Sequence, residues 1–475
     1  TAQQADVHVR PKPGTDAALA CAVMHVLFRD GYADRNYMAE FTNDAGILEE
    51  HLRSRGPDWA ADITGIPVDV IEKLAKDYGA TDRAIIRLGY GFSRSRNGAS
   101  ALHAVSCLPA VRGAWKHPGA GLYGSIGQNF NINTSLVMGI DDPDVRILDM
   151  SRLGPILTDD PEPLNGGPPV TAMLVQSSNP AVVAPESGLV RQGLMKDEMF
   201  LCVHEQFLTD TAKLADIVLP ATTFLEHDDF YTSYGQPYLQ IGPKVIEPLA
   251  ETRSNHDMLG GLAKRLGADH RAFDMTAWEV MDEILQTNGF GTADELKEKR
   301  FIEIRPTFEE NHFLNGFPHP DGKFRFKANW SELGPDHAAL PDLPDFADII
   351  DDTDKARPFR MVTAPSRNYL NTSFTETDTS IAREQRPTIL IHPTDCDELG
   401  LVDGDRVRIG NDRGDLVLHA RPFDGVRRGV AIVEGIWPNL AFEEGIGINL
   451  LTSSDPGKPN GGAVFHDTAI WIRTA

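Results

Sequence analysis

Two stretches of this chain place polar side chains where a ligand could be held. In the first, Gly14, Thr15 and Asp16 stand at the start of a run of apolar residues at helical spacing, closed by Gly31. A carboxylate there offers two oxygens to two parallel donors, and a glycine beside it allows close backbone approach. The same residues suit plain helix capping by Thr15 or Asp16. In the second stretch, Ser177, Ser178, Asn179 and Pro180 follow the apolar segment 170–176. Ligands of open α/β sheets sit beyond the carboxyl ends of the strands, although an ordinary turn has the same composition. His204 and Glu205 end the next apolar segment on the same rim. An acidic residue at that place suits ribose hydroxyls, whereas a lone histidine at a strand end more often serves structure. Thr209, Thr211 and Asp216 lie on the following loop, with Asp216 equally suited to bracing it.

The elements that must position these residues follow from periodicity. Helices are expected over 16–30, within 33–55, over 68–78 and over 99–113, with a short buried strand at 84–88 ending in Gly89 and Gly91. Those two glycines are too sparse for a dinucleotide fingerprint. Residues 114–170 are rich in Gly, Asp and Pro and read as long loops. Strand 170–176, helix 187–196, strand 199–204 and strand 216–219 form the β–loop–α–β pattern of a parallel sheet. Residues 254–300 are helical in pattern, and 331–357 are rich in Pro and Asp. After them, short strands at 359–363, 388–391, 405–409, 415–420 and 429–434, with a tight turn at 411–414, read as a small β-barrel. The opening T-A-Q-Q-A-D is echoed by T-A-K-L-A-D at 211–216, which suggests two related α/β lobes.

Composition excludes several functions. Among 475 residues, 69 acidic against 45 basic side chains give a formal charge of −24, which repels phosphate backbones and argues against nucleic-acid binding. No apolar run reaches the roughly 18 residues of a membrane span. The four cysteines form no CxxC pair, so no zinc or cluster site is read from spacing, and buried structural thiols are expected. The acidic groups Glu226, Asp228, Asp229 and Asp348, Asp351, Asp352 lack regular ligand spacing and are expected to be solvated faces.

Four blocks, in order, resemble one family. PKPGTDAALA, SSNPAVVAPES, HEQFLTDTAKLADIVLPATTFLEHDD and HPTDCDELGLVDGDRVRIGNDRG are similar to the helix start, Asn-Pro loop, Thr-Ala-x-x-Ala-Asp loop and terminal barrel of the dimethyl-sulphoxide reductase and formate dehydrogenase family. The resemblance implies two partial Rossmann-like α/β lobes followed by a double-psi β-barrel. It divides the chain into 1–105, the remainder of the first lobe; 106–345, the later part of the second; a linker at 346–357; and the barrel at 358–475. It implies two molybdopterin guanine dinucleotides with molybdenum or tungsten, and two-electron or oxygen-atom transfer on a small substrate, with an electron-transfer subunit as a partner. The alternative is a metal-free homologue acting as a structural subunit.

By that resemblance Asp16 accepts the N1–H and exocyclic amine of a guanine, Gly14 and Thr15 lie beside it, and the 177–180 loop takes diphosphate or ribose. Arg367, Asn371 and Thr372 in TAPSRNYLNTSFTET are implied to reach the pterin, and Asn449, Thr452 and Asp455 in NLLTSSDP belong to a final cofactor loop. Turn chemistry accounts for the same residue types. The family's metal ligand and any iron–sulphur cluster are expected upstream of Thr1, so the chain is read as a fragment, inactive alone. A cytoplasmic location is expected, with a periplasmic one left open.

Overall fold

The computed structural model describes residues 2–138 and 145–475; residues 139–144, within the expected loop region, and Thr1, in the first copy of the echo, lie outside them. Helix α1 (Asp16–Arg29) is the axis of the first lobe. Its Ala17, Ala18, Ala20 and Ala22 are small enough to let neighbours approach on several sides, and Cys21, Met24 and Leu27 are fully buried among them. Around it pack α2 (Arg35–Phe41), α3 (Ala45–Leu52), α4 (Pro57–Thr64), α5 (Val68–Ala80) and α6 (Gly98–Arg112). Between α2 and α3 lies the short strand β1 (Thr42–Asn43), and β2 (Ile85–Arg87) pairs in parallel with β3 (Gly121–Tyr123). The expected boundary at 105 falls inside α6, whose Ala101, Ala104, Cys107 and Leu108 share one core with α1.

In the second lobe, α7 (Leu153–Leu157), α8 (Pro180–Val183) and α9 (Ser187–Leu194) cover one face of a parallel sheet of β4 (Ala172–Gln176), β5 (Phe200–Glu205) and β6 (Ile217–Pro220). The echo is real at the level of the turn: Ala2–Gln4 and Ala212–Leu214 each form a short 3₁₀ turn. Only the second leads into a strand, because β5 lies beside β6, whereas no described strand pairs with residues 7–10.

A further layer escaped the periodicity. Strands β7 (Asp229–Tyr231), β8 (Tyr238–Gly242) and β9 (Phe301–Glu303) form an antiparallel sheet. The helical region between β8 and β9 resolves into α10 (Asn255–Arg265), α11 (Ala277–Thr287) and α12 (Ala293–Lys299), of which the last two pack on that sheet. The chain then returns to the first lobe. Strand β10 (Phe324–Arg325) pairs with β1, and Phe317 and Phe326 bury themselves beside Trp115.

The C-terminal region is a closed barrel of β11 (Phe359–Ala364), β12 (Thr388–Ile391), β13 (Arg406–Asn411), β14 (Gly414–Pro422), β15 (Val430–Glu434) and β16 (Ala469–Thr474), in the order β11-β15-β12-β14-β13-β16. Inward-facing aliphatic residues such as Met361, Ile389, Val407, Leu418 and Ile470 fill it.

Residues 344–352, which run into the expected linker at 346–357, are fastened to both sides. The Pro344 carbonyl accepts from Cys21 Sγ at 3.3 Å, and Arg55 pairs with Asp345 at 2.7 Å. Asn97 Nδ2 donates to the Asp348 carbonyl at 2.6 Å. Arg96 pairs with Asp351 at 2.6 Å, and Asp352 receives both Lys12 and Arg360 at 2.9 Å. Asp351 and Asp352 are therefore ion-pair partners and not a solvated face. Composition gave no sign of this, because Arg96 and Lys12 are far away in sequence and only Arg360 lies near. Glu226 is likewise buried, accepting from the backbone N–H groups of Thr223 and Leu249. The described residues contain no cluster of acids, histidines or cysteines arranged to hold a metal ion.

Candidate functional site

A cavity of about 230 Å³ opens where the first lobe, the 347–350 segment and the barrel meet. Its walls include Gly14 and Asp16 at the head of α1, Gly89, Gly91 and Phe92 after β2, and Asn97 and Ser100 at the head of α6. Ile349 and Ile350 close one side, and His466 and Asp467 reach in from just before β16.

The local sequence explains how Asp16 comes to face this space. Thr15 is buried, and its hydroxyl turns back to donate to the Lys12 carbonyl at 2.6 Å, so it does not cap the helix. Gly14 has a φ of +85°, which L side chains rarely adopt, and a Cβ there would lie 3.2 Å from Ile349 Cγ1. Asp16 is the first residue of α1, and its side chain has no side-chain partner among the described residues. Burial pushes its carboxyl pKa up, opposed by the hydrogen bond from its own backbone N–H. The unpaired N–H groups of the helix start favour an acid here, yet beyond its own N–H the acid has no side-chain partner among the described residues. A carboxylate without a side-chain partner among the described residues, lining a cavity beside Phe92, Ile349 and Ile350, suits a planar group that carries two adjacent N–H donors.

Other residues in the wall are already committed. Asp467 is buried, accepts from the backbone N–H of Arg96 at 2.6 Å, and has its pKa raised by burial. Arg96 itself is 9% exposed and bridges Asp351 and Asp455, the latter at 2.8 Å. Sequence reasoning missed the cavity's second wall. The two glycines in GYGFSRSRNG were set aside as too sparse, and nothing local to His466 or Asp467 marks them out.

The second cluster of expected residues is brought together, but chiefly to brace the fold. Asn179 and Thr211 are buried, and Asn179 Oδ1 accepts from both the Thr211 hydroxyl at 2.7 Å and its backbone N–H at 3.0 Å. Thr211 Oγ1 in turn accepts from Ala181 N–H at the start of α8, just after Pro180. Thr209 Oγ1 accepts from Ala212 N–H, and Asp216 accepts from Leu201 N–H at 2.7 Å, which is the bracing role. His204 is fully buried and donates through Nε2 to the Arg253 carbonyl at 3.2 Å, leaving Nδ1 buried without a partner. Glu205 folds onto the N–H of its neighbour Gln206. Ser177 and Ser178 remain exposed at the carboxyl end of β4, with Ser177 held at a φ of +50°.

Asn449 and Thr452 are buried at the seam between the second lobe and the barrel. Asn449 Nδ2 donates to the Val182 and Val183 carbonyls at 2.8 and 3.2 Å, and the Thr452 carbonyl accepts from Glu186 N–H. Asn449→Ala removes donors from two carbonyls at the end of α8 and is expected to cost about 1–3 kcal/mol. Hydrogen exchange at 180–190 checks it; unchanged protection there would refute the bracing role. Arg367 and Asn371 are exposed and Thr372 half-buried, on the loop after β11, far from any hydrogen bond that would fix Arg367.

Residues 1–265 match the family described as Molybdopterin oxidoreductase, and residues 359–469 match the Molydopterin dinucleotide binding domain. The Probable oxidoreductase YoaE of Bacillus subtilis (strain 168) is 34% identical over 99% of this chain and 68% of its own length. The F420-dependent formate dehydrogenase subunit alpha of Methanocaldococcus jannaschii is 26% identical over 91% of this chain and 65% of its length. The dimethyl sulfoxide/trimethylamine N-oxide reductase of Rhodobacter capsulatus is 26% identical over 90% of this chain. This chain spans 59% of that relative's length. Among solved structures, the acetylene hydratase from Pelobacter acetylenicus superposes with a TM-score of 0.81 at 19% identity, covering 100% of this chain and 72% of that one. That likeness concerns the fold.

Proposed function

This chain belongs to the molybdopterin oxidoreductase family, and from that premise we propose that it holds two molybdopterin guanine dinucleotides in a molybdenum or tungsten oxidoreductase acting on a small substrate. The observation that carries the reading is the Asp16 carboxylate, which lines a cavity at a helix start with no side-chain partner among the described residues. The residues present fit one end of such a cofactor. Asp16 would accept the N1–H and exocyclic amine of a guanine, and Gly14 keeps the backbone close enough for the base to slot against Ile349. Ser177 and Ser178, exposed beyond the end of β4, would meet a diphosphate or ribose of the second dinucleotide, on a loop that Asn179 and Thr211 hold rigid. Arg367, Asn371 and Thr372 are free to reach a pterin edge.

When bound, the metal dithiolene centre supplies two-electron or oxygen-atom transfer, and this chain binds and orients it. An electron-transfer subunit is the partner such chemistry calls for. No described helix is long and apolar enough to cross a membrane. The substrate is open: relatives bear names as different as formate dehydrogenase and sulfoxide reductase, and fold alone does not choose between them.

Metal analysis and pterin fluorescence after denaturation test the proposal, on protein made in cells able to synthesise the cofactor. Molybdenum or tungsten with about two pterins per full-length chain is the expected result. Neither metal nor pterin would move the reading to a structural subunit that has kept only the fold.

A further inference from the structure

Guanine carries three donors on one edge: the N1–H and the two hydrogens of its exocyclic amine. The two oxygens of Asp16 account for two of them. The third hydrogen points away from N1 and needs an acceptor elsewhere in the cavity wall. Other acceptors in the wall are partly engaged: Asp467 Oδ2 accepts from Arg96 N–H, and the Ser100 hydroxyl donates to the Asn97 carbonyl while its oxygen keeps its lone pairs. Asn97 Nδ2 is bound to the Asp348 carbonyl, while its Oδ1 is sealed within the protein.

His466 differs. Its Nε2 lies 3.0 Å from the Thr363 carbonyl, and a carbonyl can only accept, so Nε2 carries the hydrogen. Burial, assisted by the nearby Arg94 and Arg360, pushes the imidazole pKa down to about 4, so the ring is neutral at physiological pH. Nδ1 is then a bare acceptor. It has no hydrogen-bond partner among the described residues, and it is not among the buried atoms cut off from solvent. The Thr363 contact thus fixes both the tautomer and the orientation of a ring that lines the cavity.

We propose that His466 is a specificity-determining contact in this cavity, accepting through Nδ1 the exocyclic-amine hydrogen that Asp16 leaves free. The proposal rests on the guanine reading of Asp16. It assigns the amine, and not the ring N1–H, to the barrel side of the cavity, so the barrel takes part in choosing the base.

The test compares GDP with IDP, whose hypoxanthine lacks the amine, by titration calorimetry on the cofactor-free chain. In His466→Phe the preference for GDP over IDP is expected to shrink by about five-fold, the worth of one neutral hydrogen bond. His466→Asn, which keeps an acceptor near the Nδ1 position, is expected to retain it. An unchanged preference in His466→Phe overturns the assignment while leaving the guanine reading intact. An equal loss of GDP and IDP binding in both variants also overturns it, since a purely structural ring does not discriminate between bases. Absence of GDP binding by the wild-type chain, or wild-type affinity in Asp16→Asn, removes the guanine reading and this proposal with it.

Discussion

Asp16→Asn is expected to make the cofactor-free protein more stable at neutral pH while lowering its affinity for GDP by at least about 100-fold. The two effects have one cause. Burial raises the pKa of this carboxyl, so its ionised form is disfavoured in the folded protein. A carboxyl with a raised folded pKa lends stability only below its ordinary pKa of about 4, and loses that contribution as pH climbs through the folded value. An amide never ionises, so the variant's advantage appears above that window and vanishes under acid conditions. Binding changes in the opposite sense. Each hydrogen bond to a charged acceptor contributes about 1.5–3 kcal/mol, and an amide replaces one acceptor with a donor that faces the donors of the base. Urea unfolding at pH 4 and pH 7, beside GDP titration, measures both. A variant that is less stable at pH 7, or that binds GDP as well as the parent, would sink the account.

Arg96→Met is expected to be the most damaging single change among the ion pairs, at about 3 kcal/mol. Arg96 is 9% exposed and joins three parts of the molecule. Its side chain sits on α6's approach, Asp351 comes from the connecting segment, and Asp455 and Asp467 belong to the barrel region. Asp455 is 57% exposed, so that arm contributes little. The damage comes from Asp467, 4% exposed, which would remain buried with Arg360 as its remaining nearby cation. Its carboxyl pKa, already raised by burial, would rise further. Protonation relieves the strain, so the deficit relative to the parent should be smallest below about pH 4 and grow toward neutrality. Asp455→Asn is the control, with an expected cost below about 1 kcal/mol. If Arg96→Met costs no more than that control, the bridge is only a surface ion pair.

How much of this was legible depends on whether the signal is local. Helix α1 and its acidic first residue could be read, because alternation of alanines with larger apolar residues is a local pattern and Gly14 demands an unusual backbone angle. The barrel strands could be read from turn chemistry, with β16 escaping although Gly461, Gly462, His466, Asp467 and Thr468 precede it. The 42–43 bridge and the β7–β8–β9 layer were invisible, since strands of two to five residues carry almost no periodicity. Asn179, Thr211 and Asn449 were singled out as cofactor contacts, but their sequence could not tell a ligand contact from a brace. In the structure their side chains meet backbone groups of α8 or one another. Only the family resemblance kept a cofactor in view at these positions. His466 had no local signal at all, because its role comes from Thr363, more than a hundred residues earlier.

The connection between Arg96 and Asp467 spans 371 residues of chain, and it has a consequence in time. At a synthesis rate of about 5–20 residues per second, the ribosome takes roughly 20–75 s to travel from one to the other. Throughout that interval α1 can fold and present Asp16, yet the His466–Asp467 wall of its slot does not exist, and the Ile349–Ile350 wall appears only late in it. A base arriving early would find a shelf, open to water on the barrel side, and would leave again quickly. On the proposed guanine reading, retention begins only when the 466–467 segment before β16 is in place, so ligand capture waits for the barrel to fold.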